Sequence, residues 1–150
     1  MTSPSPRENG PGRGGWATFS RYWLPVLAYI ALIFLVSSIH GNAIPSPFPY
    51  VDKVAHLMEY GLLGLLAGRA IRFTMSGRSA LVIAIATILF GSLIGAIDEN
   101  YQRFTPGRDC DFMDWVTDTF AVALSVFVTQ IVTIRSLRRR SGERPEPSGR

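Results

Sequence analysis

Two short stretches hold most of the side chains in this chain that can move a proton, bind an ion or receive an anion. The first contains Asp52, Lys53, His56, Glu59 and Tyr60; the second runs from Asp98 and Glu99 through Gln102, Arg108, Asp111 and Asp114 to Asp118. On a helix, 100° per residue keeps positions 52, 56, 59 and 60 on one face. Asp98 and Gln102 fall one turn apart. Asp111, Asp114 and Asp118, at i, i+3 and i+7, predict one face of a following helix, with Pro106 and Gly107 making the turn before it. Carboxylates beside an imidazole can act as general base, proton shuttle or metal ligands. Arg108 and Lys53 can receive a phosphate or a carboxylate.

Other chemistries are excluded. No Gly-rich phosphate loop ends in Lys and Ser or Thr, and His56-Leu57-Met58-Glu59 is not the His-Glu-x-x-His pattern of zinc proteases. With 2 His and 1 Cys the chain cannot build a closed structural zinc site, and Cys110 cannot form an internal disulfide.

The elements that must position these groups are apolar. Leu24 to Ser38, Val54 to Ile71, Leu81 to Ile97 and Trp115 to Ile134 each approach the ~20 residues that a bilayer core requires. Leu81 to Ile97 offers only Thr87 and Ser92 as polar side chains, so it lacks the solvated stripe of a soluble helix. The expected fold is therefore all-α, a multi-pass membrane protein of about four helices spanning 22–135. Residues 1–21 and 136–150 are expected to be disordered tails, because their polar ends are rich in Gly, Pro and Ser. Were the first segment a cleaved signal, three spans of the same orientation would remain.

Charge sets the orientation. Arg supplies 14 of the 15 basic residues, and 12 of the 15 lie in the two tails or around the 72–78 loop, on one side of such a bundle. The other side holds only Lys53, Arg103 and Arg108. The positive-inside rule places the Arg-rich side, with both termini, in the cytoplasm. Blocks such as Arg138, Arg139 and Arg140 suit anionic lipid head groups, so a net charge of +4 does not argue for nucleic acid. Trp16, Trp23 and Trp115 suit the membrane interfaces.

Eight of the 11 acidic residues then gather at the outer end: Asp52, Glu59, Asp98, Glu99, Asp109, Asp111, Asp114 and Asp118. Two like charges 4 Å apart near a surface repel by roughly 4 kcal/mol. Some of these groups must be hydrated, paired, protonated or bound to a cation. No cofactor is required by the sequence, but a hard divalent ion such as magnesium or calcium suits oxygen ligands. An interhelical staple, with Lys53 and Arg108 bridging helix ends, is the purely structural account. Gly64 and Gly68, and Gly91 and Gly95, have the four-residue step of close membrane-helix packing. A homodimer is compatible with this composition.

The two polar stretches resemble the VanZ-like membrane proteins, a family named after an accessory protein of teicoplanin (glycopeptide) resistance clusters. The resemblance rests on Asp52-Lys53-x-x-His56-x-x-x-Tyr60-x-x-Leu63 and on Asp98-Glu99-x-x-Gln102-x-Phe104-x-Pro106-Gly107-Arg108-x-x-Asp111-x-x-Asp114. It extends over roughly residues 30 to 121. The chain departs from the pattern at Asp118, where an Asn is expected, and at Ala121, where a Gly commonly follows. The resemblance implies a bacterial plasma-membrane protein of the cell envelope, with about four helices and no defined reaction. Two functions remain: binding an envelope lipid, glycan precursor or antibiotic, or modulating a partner, without chemistry; or an enzyme acting on a lipid-linked phosphate or glycan precursor. In the second, Asp98 and Glu99 are general base or metal ligands, His56 a proton shuttle and Arg108 an anion clamp.

Overall fold

A computed structural model describes residues 13–39, 51–108 and 110–142, which form four helices. These are α1 (Arg13–Ser37), α2 (Val51–Thr74), α3 (Ala80–Gln102) and α4 (Phe112–Gly142), with no strand among the described residues. The all-α expectation holds, with shifted boundaries. Helix α1 already begins at Arg13 and α4 continues to Gly142, so 13–21 and 136–142, expected as tails, are helical; the rest of both tails lies outside the described residues. The physical reason is local. Along α1, Trp16 meets Phe19 edge to face and Phe19 stacks on Trp23, with ring centroids 6.1 and 6.0 Å apart, and Leu and Arg at the end of α4 are strong helix formers whatever their charge.

Turn chemistry separates the helices. Gly77 takes a φ of 93°, closed to most side chains, and Ser79 caps α3 by accepting from the Val82 N–H at 3.3 Å. Gly107, with a φ of 75°, turns the chain after Pro106. Asp111 then caps α4, its Oδ1 accepting from the Met113 N–H at 2.8 Å. Asp111 thus precedes α4, whereas its spacing to Asp114 predicted a place on that helix.

Helices α2 and α3 pack on each other and on α4, while α1 covers the α2–α3 pair away from α4. The helices run up and down. One end joins Trp23 to Thr74 (2.9 Å), sets Arg69 over the Tyr22 ring and links Gln130 to the Ala80 carbonyl. The other joins Ser37 to Gln102 and Lys53 to Asp111. Arg21, Arg69, Arg72, Arg78 and Arg135 gather at the first, and the acidic side chains, with Lys53, Arg103 and Arg108, at the second.

Polarity is inverted relative to a water-soluble bundle. Leu81, Leu89 and Phe120 are 69%, 65% and 59% exposed, while Asp98, Glu99 and Asp118 are 1%, 3% and 0% exposed. A continuous apolar exterior around a polar interior suits lipid as the surrounding solvent. Among the described residues, three stretches are long and apolar enough to cross a membrane: Gly15–Ser37, Ala80–Gln102 and Phe112–Ser136. Helix α2 has 24 residues but carries His56, Glu59 and Arg69. Like α3, it touches all three other helices, so part of its polar surface meets protein.

Small residues let α4 approach. A Cβ on Gly64 would collide with the Ser125 Oγ and lie 3.1 Å from the Val122 Cα, and one on Gly91 would come within 2.5 Å of the Val122 Cγ2. Of the four glycines whose spacing suggested close packing, these two and Gly95 meet α4, while Gly68 has ordinary clearance. We expect Gly91→Ala to lower stability by about 1–3 kcal/mol through overpacking against Val122. Adding Val122→Ala should recover most of that loss, as read by denaturation of the protein in detergent.

Candidate functional site

The acidic end of the bundle is built from all four helices. From α2, His56 and Tyr60 point inward and are buried, their rings parallel at 6.3 Å between centroids. From α3 come Asp98, Glu99 and Gln102, and from α4 Asp114 and Asp118, all buried. Helix α1 contributes Ser37, whose hydroxyl accepts from Gln102 Nε2 at 3.4 Å, and Tyr29, which donates to the Glu59 carbonyl at 3.2 Å.

Two networks meet here. In the outer one, Lys53 donates to Asp111 Oδ2 at 3.1 Å and to Asp114 Oδ1, bridging the start of α2 to that of α4. The Asp111 backbone N–H donates to Glu99 Oε2 at 3.0 Å, which brings α3 into the same knot. Hydrogen bonding to Asp114 raises the Lys53 ammonium above its ordinary value, and the Met113 N–H, then Lys53, hold the Asp111 carboxyl below its own.

The inner network is more deeply buried. His56 Nδ1 and Asp118 Oδ1 are 2.9 Å apart. Tyr60 donates its hydroxyl to Asp98 Oδ2 at 3.4 Å, and Gln102 Nε2 donates to the same oxygen at 3.2 Å. Gly95 shapes this space: its missing Cβ would lie 3.0 Å from Asp118 Oδ2 and 3.4 Å from the Tyr60 ring. Any side chain there would press on both.

Three carboxylate oxygens in this interior are buried without a hydrogen-bond partner among the described residues: Asp98 Oδ1, Glu99 Oε1 and Asp118 Oδ2. Leaving a buried polar atom unmatched costs about 1–3 kcal/mol each, more when charged. His56, Glu99 and Asp118 each offer one ligand atom within 4.8 Å of the others, so they are the described residues placed to hold a metal ion.

Arg108 stands at the rim, half-buried. It donates through Nε to the Ile39 carbonyl at 3.3 Å and through Nη1 to Gln102 Oε1 at 3.5 Å. Among the described residues it makes no ion pair; its two hydrogen bonds join the end of α1 to that of α3, while Lys53 makes the ion-paired bridge from α2 to the start of α4.

The structure thus brings together Lys53, His56, Tyr60, Asp98, Glu99, Gln102, Arg108, Asp111, Asp114 and Asp118. Glu59 is half-buried within electrostatic reach of His56, Asp98, Asp118 and Arg108, and the side chains of Asp52 and Asp109 lie outside the described residues. Sequence reasoning missed Ser37, Tyr29 and Thr105, whose hydroxyl donates to the Ser37 carbonyl at 3.2 Å. Lone hydroxyls in or beside apolar segments carry no spacing signal. Gly95 had one, its four-residue step from Gly91, which pointed to packing and not to the space around Asp118.

A cavity of about 440 Å³ lies toward the other end, lined by residues including Tyr22, Arg69, Arg72, Thr87 and Thr133, and not at this cluster. The chemistry, by contrast, is concentrated in a four-helix membrane-type bundle with a buried acid–imidazole site at one end. The chain matches the VanZ/LLP1 family over residues 14–133, which embraces the four apolar segments save Ile134 and the whole cluster, and it belongs to that family. No curated protein and no solved structure matches it.

The Asp111 shift has a defined pH consequence. A carboxyl depressed in the folded state stabilises above its unfolded value of ~3.9 and loses that contribution as pH falls through the folded value. Asp111→Asn should therefore lose less stability than the parent between about pH 5 and 3, as read from melting temperatures across that range.

Proposed function

We propose that this chain is a multi-pass protein of a bacterial plasma membrane that crosses it four times, with both termini in the cytoplasm. Its acidic end then faces outward and binds the phosphate-bearing head group of an envelope lipid or lipid-linked glycan precursor. The segregation of Arg to one end and carboxylates to the other supports the orientation. One observation carries the binding reading: the rim cation Arg108 makes no ion pair among the described residues although it adjoins a cluster rich in buried carboxylates. A guanidinium held in place by the Ile39 carbonyl and Gln102 keeps further N–H donors for a planar, charge-assisted contact with phosphate. The apolar flanks of α2, α3 and α4 would accompany the lipid's chains. Sequestering such a precursor would alter susceptibility to antibiotics that target it.

The His56–Asp118 pair favours a second reading, in which the bound phosphate ester is also cleaved or transferred. A buried carboxylate 2.9 Å from an imidazole nitrogen orients the ring and stabilises its charged form, which suits proton transfer to or from a reacting group. The adjoining Glu99 carboxylate supplies a second base.

Native mass spectrometry of the protein released from its own membrane separates these cases. We expect a discrete phosphate-bearing lipid on the parent and its loss in Arg108→Ala, whose affinity should fall about 10- to 100-fold with one charge-assisted contact removed. Turnover of that lipid by the parent and its abolition in Glu99→Gln, with binding retained, would establish the enzyme. A parent that carries no lipid, and binds none when lipid extract is supplied, would sink both readings.

A further inference from the structure

We infer that His56, Glu99 and Asp118 form a binding site for one divalent first-row transition-metal ion, with Mn2+ or Zn2+ as the best match. Their ligand atoms come from three helices and lie within 4.8 Å of one another. An ion bonded at ~2.1 Å to each at tetrahedral angles would hold the ligand atoms about 3.4 Å apart, so a contraction of up to about 1.4 Å, by rotation of the three side chains, completes the site. A cluster of acids alone would say little. Here Glu99 and Asp118 each keep one buried oxygen without a partner among the described residues, in side chains 3% and 0% exposed.

Charge leads to the same conclusion. Lys53 is taken by Asp111 and Asp114, and Arg108 by a carbonyl and an amide. Among the described residues, the basic side chain paired with the trio of Asp98, Glu99 and Asp118 is His56, 2.9 Å from Asp118. A divalent cation would offset two of the three carboxylates in a low-dielectric interior, where an uncompensated charge is costliest. Asp98, with its hydroxyl and amide donors, would stand outside the ligand set and add to the field on the ion.

The donor set narrows the metal. One imidazole nitrogen with two carboxylates departs from the all-oxygen shells of Mg2+ and Ca2+, which the sequence alone had suggested, and no thiolate is present to select Cu(I). Mn2+ and Zn2+ accept mixed nitrogen and oxygen ligands. Three protein ligands leave positions open, as in sites that meet a substrate oxygen. The inference deepens the phosphate-binding reading of the same end, but metal uptake is measured without lipid, so the two can fail separately.

The test uses the full chain in detergent, stripped with EDTA and titrated with MnCl2 while followed by electron paramagnetic resonance. One Mn2+ should bind per chain, compete with Zn2+, and show nitrogen hyperfine coupling from an imidazole. His56→Gln should abolish that coupling, and Glu99→Gln and Asp118→Asn should each weaken binding by ~100-fold or more, at least as much as loss of an outer-shell partner does. Trp23→Phe breaks the bond to Thr74 at the opposite end and should keep both affinity and coupling, which separates ligand loss from general destabilisation. A cooperatively melting parent that takes up neither Mn2+ nor Zn2+ overturns the inference. So does binding that lacks nitrogen coupling or survives unchanged in Glu99→Gln.

Discussion

The constraint on which the rest of this structure depends is the cost of carboxylates inside a bundle whose exterior is apolar. Asp98, Glu99 and Asp118 are essentially sealed, and three of their six oxygens lack a partner among the described residues. In a water-soluble protein such side chains would turn outward at little cost. Here the outward direction is occupied by Leu, Ile and Phe, so an acid at the helix surface would meet hydrocarbon. The least costly place for these groups is against one another and against the few donors the bundle supplies. That concentrates chemistry at one end and leaves the remainder of each helix free to be apolar.

Meeting this constraint requires close backbone approach. Gly64 and Gly91 admit α4 to the groove between α2 and α3, with Val122 seated at both contacts. One turn further toward the acidic end, Gly95 opens the space that Asp118 enters. The glycine steps and the polar site are therefore parts of one arrangement. Lys53 closes it from outside by tying the start of α2 to Asp111 and Asp114, and Glu99 ties α3 to the same turn through the Asp111 N–H.

Much of this was legible in the sequence. Long apolar segments specify helices through composition alone, and the two polar stretches named ten of the side chains that now meet. Helix ends were less legible, because Arg and Leu continue a helix as readily as they flank a membrane, and α4 runs past its apolar part to Gly142. Asp111 misled for a related reason: the residue that caps a helix keeps the same spacing to the next turn as one on its face. Nor could the pairing of His56 with Asp118 be read from spacing, since 62 residues separate them and only the packing of α2 on α4 joins them. The part played by α1, through Ser37 and Tyr29, rests on single hydroxyls that no pattern distinguishes.

Asp118 shows how one residue can set the demands of a whole site. An Asn at that position could still hydrogen-bond an imidazole and fill the space beside Gly95. It would leave the interior with one less negative charge to accommodate, and Asp98 and Glu99 would be closer to balance by a protonated His56. A carboxylate there does the opposite. It holds the His56 ring at 2.9 Å through one oxygen and leaves the other buried against the open side of Gly95. The pair then calls for a proton or a cation that an amide would not require. Each satisfies a different number of the orphaned oxygens: a proton resolves one, whereas a divalent ion can draw on several at once.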